Sequence, residues 1–80
     1  MCGIIGINSN KPVSATIINS LKKLEYRGYD SAGIATLSNG LINEVKSEGR
    51  VDNLEKNSLV QNMEGKIGIG HVRWATHGLP

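Results

Sequence analysis

Three stretches of this sequence gather side chains whose types and spacing could do chemistry. The first is MCGIIGI, residues 1–7, with the chain's single cysteine, Cys2, directly behind the initiator Met. Met is generally removed ahead of a residue as small as Cys. Cys2 would then carry a thiol and a free α-amine, with ordinary pKa values of roughly 8.5 and 7.7–8.0. An amine that titrates near neutrality is a usable general base, and here it is attached to the nucleophile it activates. This N-terminal-nucleophile arrangement needs no neighbouring His or Asp. The same residue also fits a plainer role, a small apolar side chain opening a buried strand. The second stretch is RWATH, residues 73–77, which packs a guanidinium, an indole, a hydroxyl and an imidazole into five positions. Arg73 could clamp a carboxylate in bidentate fashion, or simply pair with a surface acid. The third is EYRGYDSAG, residues 25–33, with Arg27, two tyrosines and Asp30 around Gly28. Alone it is equally a helix end followed by a turn.

Other chemistries find little support. Cys2, His71 and His77 lack metal-ligand spacing, and the chain has neither a Cys-x-x-Cys nor a His-Glu-x-x-His pattern. The glycine alternations GIIG and GIG do not end as a phosphate-binding loop does, and point instead to close approach of another backbone. No cofactor and no metal are implied. The formal net charge is +2, with Lys22-Lys23 the only adjacent basic pair, which argues against a nucleic-acid partner. No apolar run approaches the ~18 residues that span a membrane, and no basic segment precedes the first apolar run as in a signal peptide. One cysteine cannot form an internal disulfide, so the composition points to a reducing compartment, the cytoplasm.

The elements that would position these residues follow from periodicity. CGIIGIN has the composition of a buried strand. From Val13 to Tyr26 the pattern is helical: Ile17, Ile18, Leu21 and Leu24 recur at three- and four-residue steps, with Ser14 as a candidate N-cap and Gly28 where the helix would end. SAGIATL and LINEVKSEG are strands joined at Asn39-Gly40, the pair that a type I′ hairpin turn favours. In the second of them Glu44, Lys46 and Glu48 line one face with Ile42, the pattern of an outer strand with one wet side. Asp52 could cap a weaker helix running to about Gln61. In the closing strand Ile67, Ile69, His71 and Arg73 would face one side, and Gly68, Gly70 and Val72 the other. The order is β-α-β-β-α-β, an α+β arrangement. Eighty residues make one small domain, burying only about 60% of the surface of the unfolded chain. The chain stops at THGLP, just after its most unusual segment, so an N-terminal fragment of a longer protein is expected.

Taken together, MCGIIGI, LEYRGYDSAGIA and GHVRWATHG resemble the glutaminase domain of class II glutamine amidotransferases, over residues 2–80. Within that family they are most similar to the branch that aminates fructose 6-phosphate. Amidophosphoribosyltransferases typically read His-Arg-Gly-Gln-Glu-Ser and Arg-Tyr-Ser-Thr at the two later sites. Asparagine synthetases usually show Arg-Gly-Pro-Asp after their opening Cys-Gly-Ile.

The resemblance implies a partial four-layer αββα N-terminal-nucleophile hydrolase fold. In it Cys2 attacks the side-chain amide of L-glutamine while its α-amine moves the proton, and a thioester forms and is hydrolysed. It implies that Arg73 holds the glutamine α-carboxylate, that Thr76 and His77 complete that end of the pocket, and that Trp74 sits where ammonia leaves. Arg27 and Gly28 would shape the pocket beside the Cys2 strand. The oxyanion-hole Asn-Gly pair and the acidic residue for the glutamine amine would lie beyond Pro80, since Asn39-Gly40 belongs to the hairpin. Fructose 6-phosphate would be met only through absent isomerase domains, and full-length members are homo-oligomers. The isolated chain is expected to be inactive and to expose apolar strand edges. Three alternatives stand beside this: a non-catalytic truncated fragment, a partner-dependent binding module, and another class II amidotransferase such as an amidophosphoribosyltransferase.

Overall fold

The computed structural model of the chain describes residues 3–25 and 30–73. Seven elements follow in order: β1 (Gly3–Asn8), α1 (Ser14–Leu24), β2 (Ser31–Ser38), β3 (Leu41–Glu48), α2 (Val51–Glu55), α3 (Ser58–Gln61) and β4 (Ile67–Arg73). The strands form one antiparallel sheet in the order β1-β4-β2-β3. The α+β class is as expected. The last strand is inserted between the first two, so β4 and β2 are central and β3 is an edge.

The hairpin forms where the turn chemistry demands it. Asn39 and Gly40 take φ of 53° and 77°, and Ser38 pairs with Leu41. Positive φ at both central residues matches the right-handed twist of the flanking strands.

The helices form one layer over one face of the sheet. Ile17, Ile18 and Leu21 of α1 are buried with Ala32, Ile34, Val45 and Val72 from the strands and Val51, Leu54 and Val60 from α2 and α3. Leu24 and β1's Ile5 and Ile7 are partly buried against this core. The glycines of β4 make the contact close. A Cβ on Gly70 would run into Ile17 Cγ2 and come within 3.1 Å of Leu21 Cδ1. The close approach expected at these glycines is therefore made at Gly70 by side chains of α1, because β4 lies directly beneath that helix.

Several expectations need correction. β1 is not buried on both sides: its residues alternate, and Ile4 is 78% exposed. Among the described residues the helices cover one face of the sheet, so a strand of this sheet has one covered and one open side. Ser14 is not the N-cap of α1. It is the first helical residue, and Val13 holds the cap position with no side-chain cap bond. Val13 is buried and its N–H donates to the Gly65 carbonyl at 3.0 Å, so packing rather than a hydroxyl sets this start. α1 ends at Leu24, with Glu25 at its C-cap, while Tyr26 and Gly28 lie outside the described residues. The second helix is two short ones. Asp52 lies in the first turn of α2 rather than capping it, and the Asn57 side chain accepts from the Leu59 N–H at 2.8 Å to start α3. An Asx cap offers the backbone a new helix start and so divides what periodicity alone joins.

Candidate active site

Of the residues given a catalytic or substrate-binding role from the sequence, Arg73 is the one the described structure contains. Cys2, Arg27, Gly28, Trp74, Thr76 and His77 lie outside the described residues. The termini of the described segments are nonetheless informative. β1 and β2 both run antiparallel to β4, so their first residues meet its last. Gly3, which follows Cys2, pairs with Val72, which precedes Arg73. Ser31, the first residue of β2, pairs with Arg73 itself. The Asp30 N–H donates to the Arg73 carbonyl at 2.7 Å. The flanks of all three motif segments thus converge at one end of the sheet, although they are separated by up to seventy positions in the chain.

The face turned away from the helices changes character along the strands. Register partners in an antiparallel sheet share a face. Arg73, Ser31 and Glu48 make the row nearest the convergence. The next row is Ile4, His71, Gly33 and Lys46, with the His71 imidazole lying over Gly33. Ile69, Ala35 and Glu44 follow, and the far row is Ile67, Leu37 and Ile42. The expected alternation of β4 and the expected wet side of β3 are both present.

An open cavity of about 370 Å³ sits at the polar end, lined by Ser31, Lys46, Ser47, Glu48, His71 and Arg73. The Lys46 ammonium and the Arg73 guanidinium, with the His71 imidazole beside them, face the single carboxylate of Glu48 among the lining residues, and this suits an anionic group. A guanidinium at a strand end is well shaped to take a carboxylate in two parallel hydrogen bonds. Lys46 also stands 3.9 Å from Glu44, but both side chains are well exposed, and such pairs hold little in water. Among the described residues no group of three or more His, Cys, Asp and Glu could hold a metal ion. No helix among them is long and apolar enough to cross a membrane.

Sequence reasoning set His71 aside as a poor metal ligand and gave Ser31 and Lys46 no role at the site. The facing of β4 and β3 was legible, but their adjacency across β2 was not. It also missed the ionic links on the helix side. There the Lys22 ammonium donates to Glu55 at 2.8 Å and lies 3.7 Å from Asp52. The Glu55 hydrogen bond raises Lys22 above its ordinary pKa, with the charges of Glu55 and Asp52 adding to it and desolvation working against it. This joins α1 to α2 and takes no part in the cavity.

No family model matches the chain. It is 58% identical over all 80 residues to the glutamine–fructose-6-phosphate aminotransferase [isomerizing] of Brucella abortus, and 51% identical to that of Agrobacterium fabrum. In each case the chain spans 13% of the relative's length. Among solved structures, 96% of the chain superposes at a TM-score of 0.82 and 27% identity on 17% of the glutamine phosphoribosylpyrophosphate amidotransferase from B. subtilis complexed with ADP and GMP. A second structure, described as the allosteric regulatory enzyme of purine biosynthesis, gives a TM-score of 0.83 at 28% identity over 95% of the chain and 16% of its own.

Proposed function

Because the chain matches the N-terminal region of glutamine–fructose-6-phosphate aminotransferases at 51–58% identity, we propose that residues 1–80 form the opening part of a glutaminase domain. This domain hydrolyses L-glutamine and passes ammonia on for the amination of fructose 6-phosphate. The observation that carries the reading is the convergence of Gly3, Asp30 and Arg73 at one sheet end, beside a basic cavity. Antiparallel pairing brings the residue after the candidate nucleophile to the residue before the candidate carboxylate clamp.

In this reading Cys2 is the nucleophile once Met1 is removed. Its α-amine takes the thiol proton, and the sulfur attacks the glutamine carboxamide carbon. The C–N bond breaks as the amine returns the proton to departing ammonia, leaving a thioester that water hydrolyses to glutamate. Arg73 pairs with the α-carboxylate, with Thr76 and His77 completing that end. Trp74 stands at the exit for ammonia, and Arg27 and Gly28 shape the pocket wall. The oxyanion donors come from a segment after Pro80, and without such a donor rates in other hydrolases fall about 10²–10³-fold. A second sheet from the same later region covers the open apolar rows. Fructose 6-phosphate binds a further, isomerase part of the polypeptide, which works as a homo-oligomer in the cytoplasm.

Intact mass before and after exposure to an electrophilic glutamine analogue tests this. In the polypeptide extended through the later glutaminase segments the expected result is loss of the Met1 mass and one adduct on Cys2, blocked by excess glutamine and absent in Cys2→Ala, whereas residues 1–80 alone should lose Met1 without forming the adduct. Arg73→Ala should require far more analogue for the same labelling. Retention of Met1 would leave the α-amine tied up in an amide, without a base, and the proposal would fail.

A further inference from the structure

Glu25 and Asp30 flank the segment 26–29, and the structure ties both to one short connector, Gly49–Val51, which leads from the end of β3 into the first residue of α2. On one flank the Glu25 carboxylate accepts from the Val51 N–H at 2.7 Å and lies 3.7 Å from the Arg50 guanidinium. On the other, the Gly49 N–H donates to the Asp30 carbonyl at 2.8 Å. Asp30 in turn donates its own N–H to the Arg73 carbonyl. The connector is itself well held. Gly49 has φ of 85°, a conformation that strains any other residue except Asn or Asp. Asn53 donates its backbone N–H to Arg50 at 3.0 Å and its side-chain amide to Glu48 at 3.2 Å.

The Glu25 side chain is only 9% exposed. A carboxylate so covered is unfavourable unless its oxygens are satisfied, and here both partners belong to the connector. Supplying one acceptor to a five-residue helix does not by itself call for a buried charge. What sets this carboxylate apart is that it closes a ring: Glu25 to Val51, along the backbone to Gly49, and across to Asp30. Among the described residues the Asp30–Arg73 hydrogen bond joins that ring to the backbone of Arg73, beside the chain itself, which runs from Asp30 into Ser31 and from Gly49 back into Glu48 at the cavity wall.

We propose that Glu25 is a positioning residue for the carboxylate end of the site: with Gly49–Val51 it braces Asp30, and Asp30 holds the backbone of Arg73. This rests on the glutaminase reading for its chemical meaning, but the brace can be tested separately. In Glu25→Ala, hydrogen exchange at the Asp30 amide should quicken at least about tenfold while the Ile34 and Val72 amides keep their rates, as expected of local opening. The analogue concentration that half-saturates Cys2 labelling should rise about tenfold, the scale of a loosened positioning group. The limiting labelling rate, and the rate with a small neutral alkylating agent, should stay the same. Glu25→Gln still accepts from Val51 and should recover most of both effects. It also serves as the folded variant if Glu25→Ala is too unstable, and then a slower Asp30 amide than in Arg50→Ala is the supporting result. An unmoved Asp30 amide overturns the brace, as does an unmoved half-saturation beside a quickened amide. Equal damage in both Glu25 variants with quickened core amides means general loosening and also overturns it. These labelling experiments use the polypeptide extended through the later glutaminase segments, and absence of saturable labelling in its unaltered form overturns the glutaminase reading instead.

Discussion

The same four strands present two unlike faces. Toward the helices the strands carry glycine and β-branched residues, and Ile17 and Leu21 settle against Gly70 without any exposed surface. Away from the helices Ile4, Ile42 and Ile69 are 78%, 75% and 57% exposed, and the face grows more polar toward Arg73. The apolar exposure was anticipated at strand edges. It is present there, at Ile4 of β1 and at Leu41 and Ile42 of β3, and it continues across the open face to Ile67 and Ile69 of the central strand β4. The contrast shows which residues already contribute to stability and which do not. A side chain on the covered face has lost its water to close-packed neighbours, while Ile4 and Ile42 on the open face keep most of theirs.

Substitutions should therefore split by face. The largest effect is expected for Leu21→Ala, which empties a fully buried site and should lower unfolding free energy by about 2–5 kcal/mol in denaturant titration. Gly70→Ala adds one methyl group on the same face against Ile17, and should cost about 1–3 kcal/mol by overpacking. A loss under half a kcal/mol would show that α1 moves aside readily. Thr36→Val should act in the opposite direction. The Thr36 hydroxyl is buried and has no hydrogen-bond partner among the described residues, so removing it should stabilise the fold by about 1 kcal/mol. Ile4→Ser, on the open face, should leave the unfolding free energy within about 0.5 kcal/mol. It should, however, raise the concentration at which the chain begins to scatter light, since it breaks the apolar patch. A large stability loss in Ile4→Ser would mean that the open face is already covered in solution.

Much of this contrast was legible locally. The 3.6-residue recurrence of Ile17, Ile18, Leu21 and Leu24 gave α1 its buried stripe. Asn39-Gly40 marked the hairpin, and period-two alternation sorted Ile67, Ile69, His71 and Arg73 onto one side of β4. Each of these depends on residues within a few positions of one another. The start of α1 was misjudged because a buried Val13 outweighed a favourable hydroxyl at Ser14, and the second helix because Asn57 was not weighed as a cap.

The candidate site divides in the same way. By itself the sequence determined the reactive residue types, their segments and the facing of each strand, since these follow from side-chain chemistry and backbone period. Only the tertiary structure decided that β4 lies between β1 and β2, that Gly3, Asp30 and Arg73 meet at one end, and that Glu25 reaches Val51. Strand order depends on pairings between residues as distant in the chain as Gly3 and Val72. Those pairings are chosen by the sum of core packing over the whole sheet, and no local window of the sequence contains that sum.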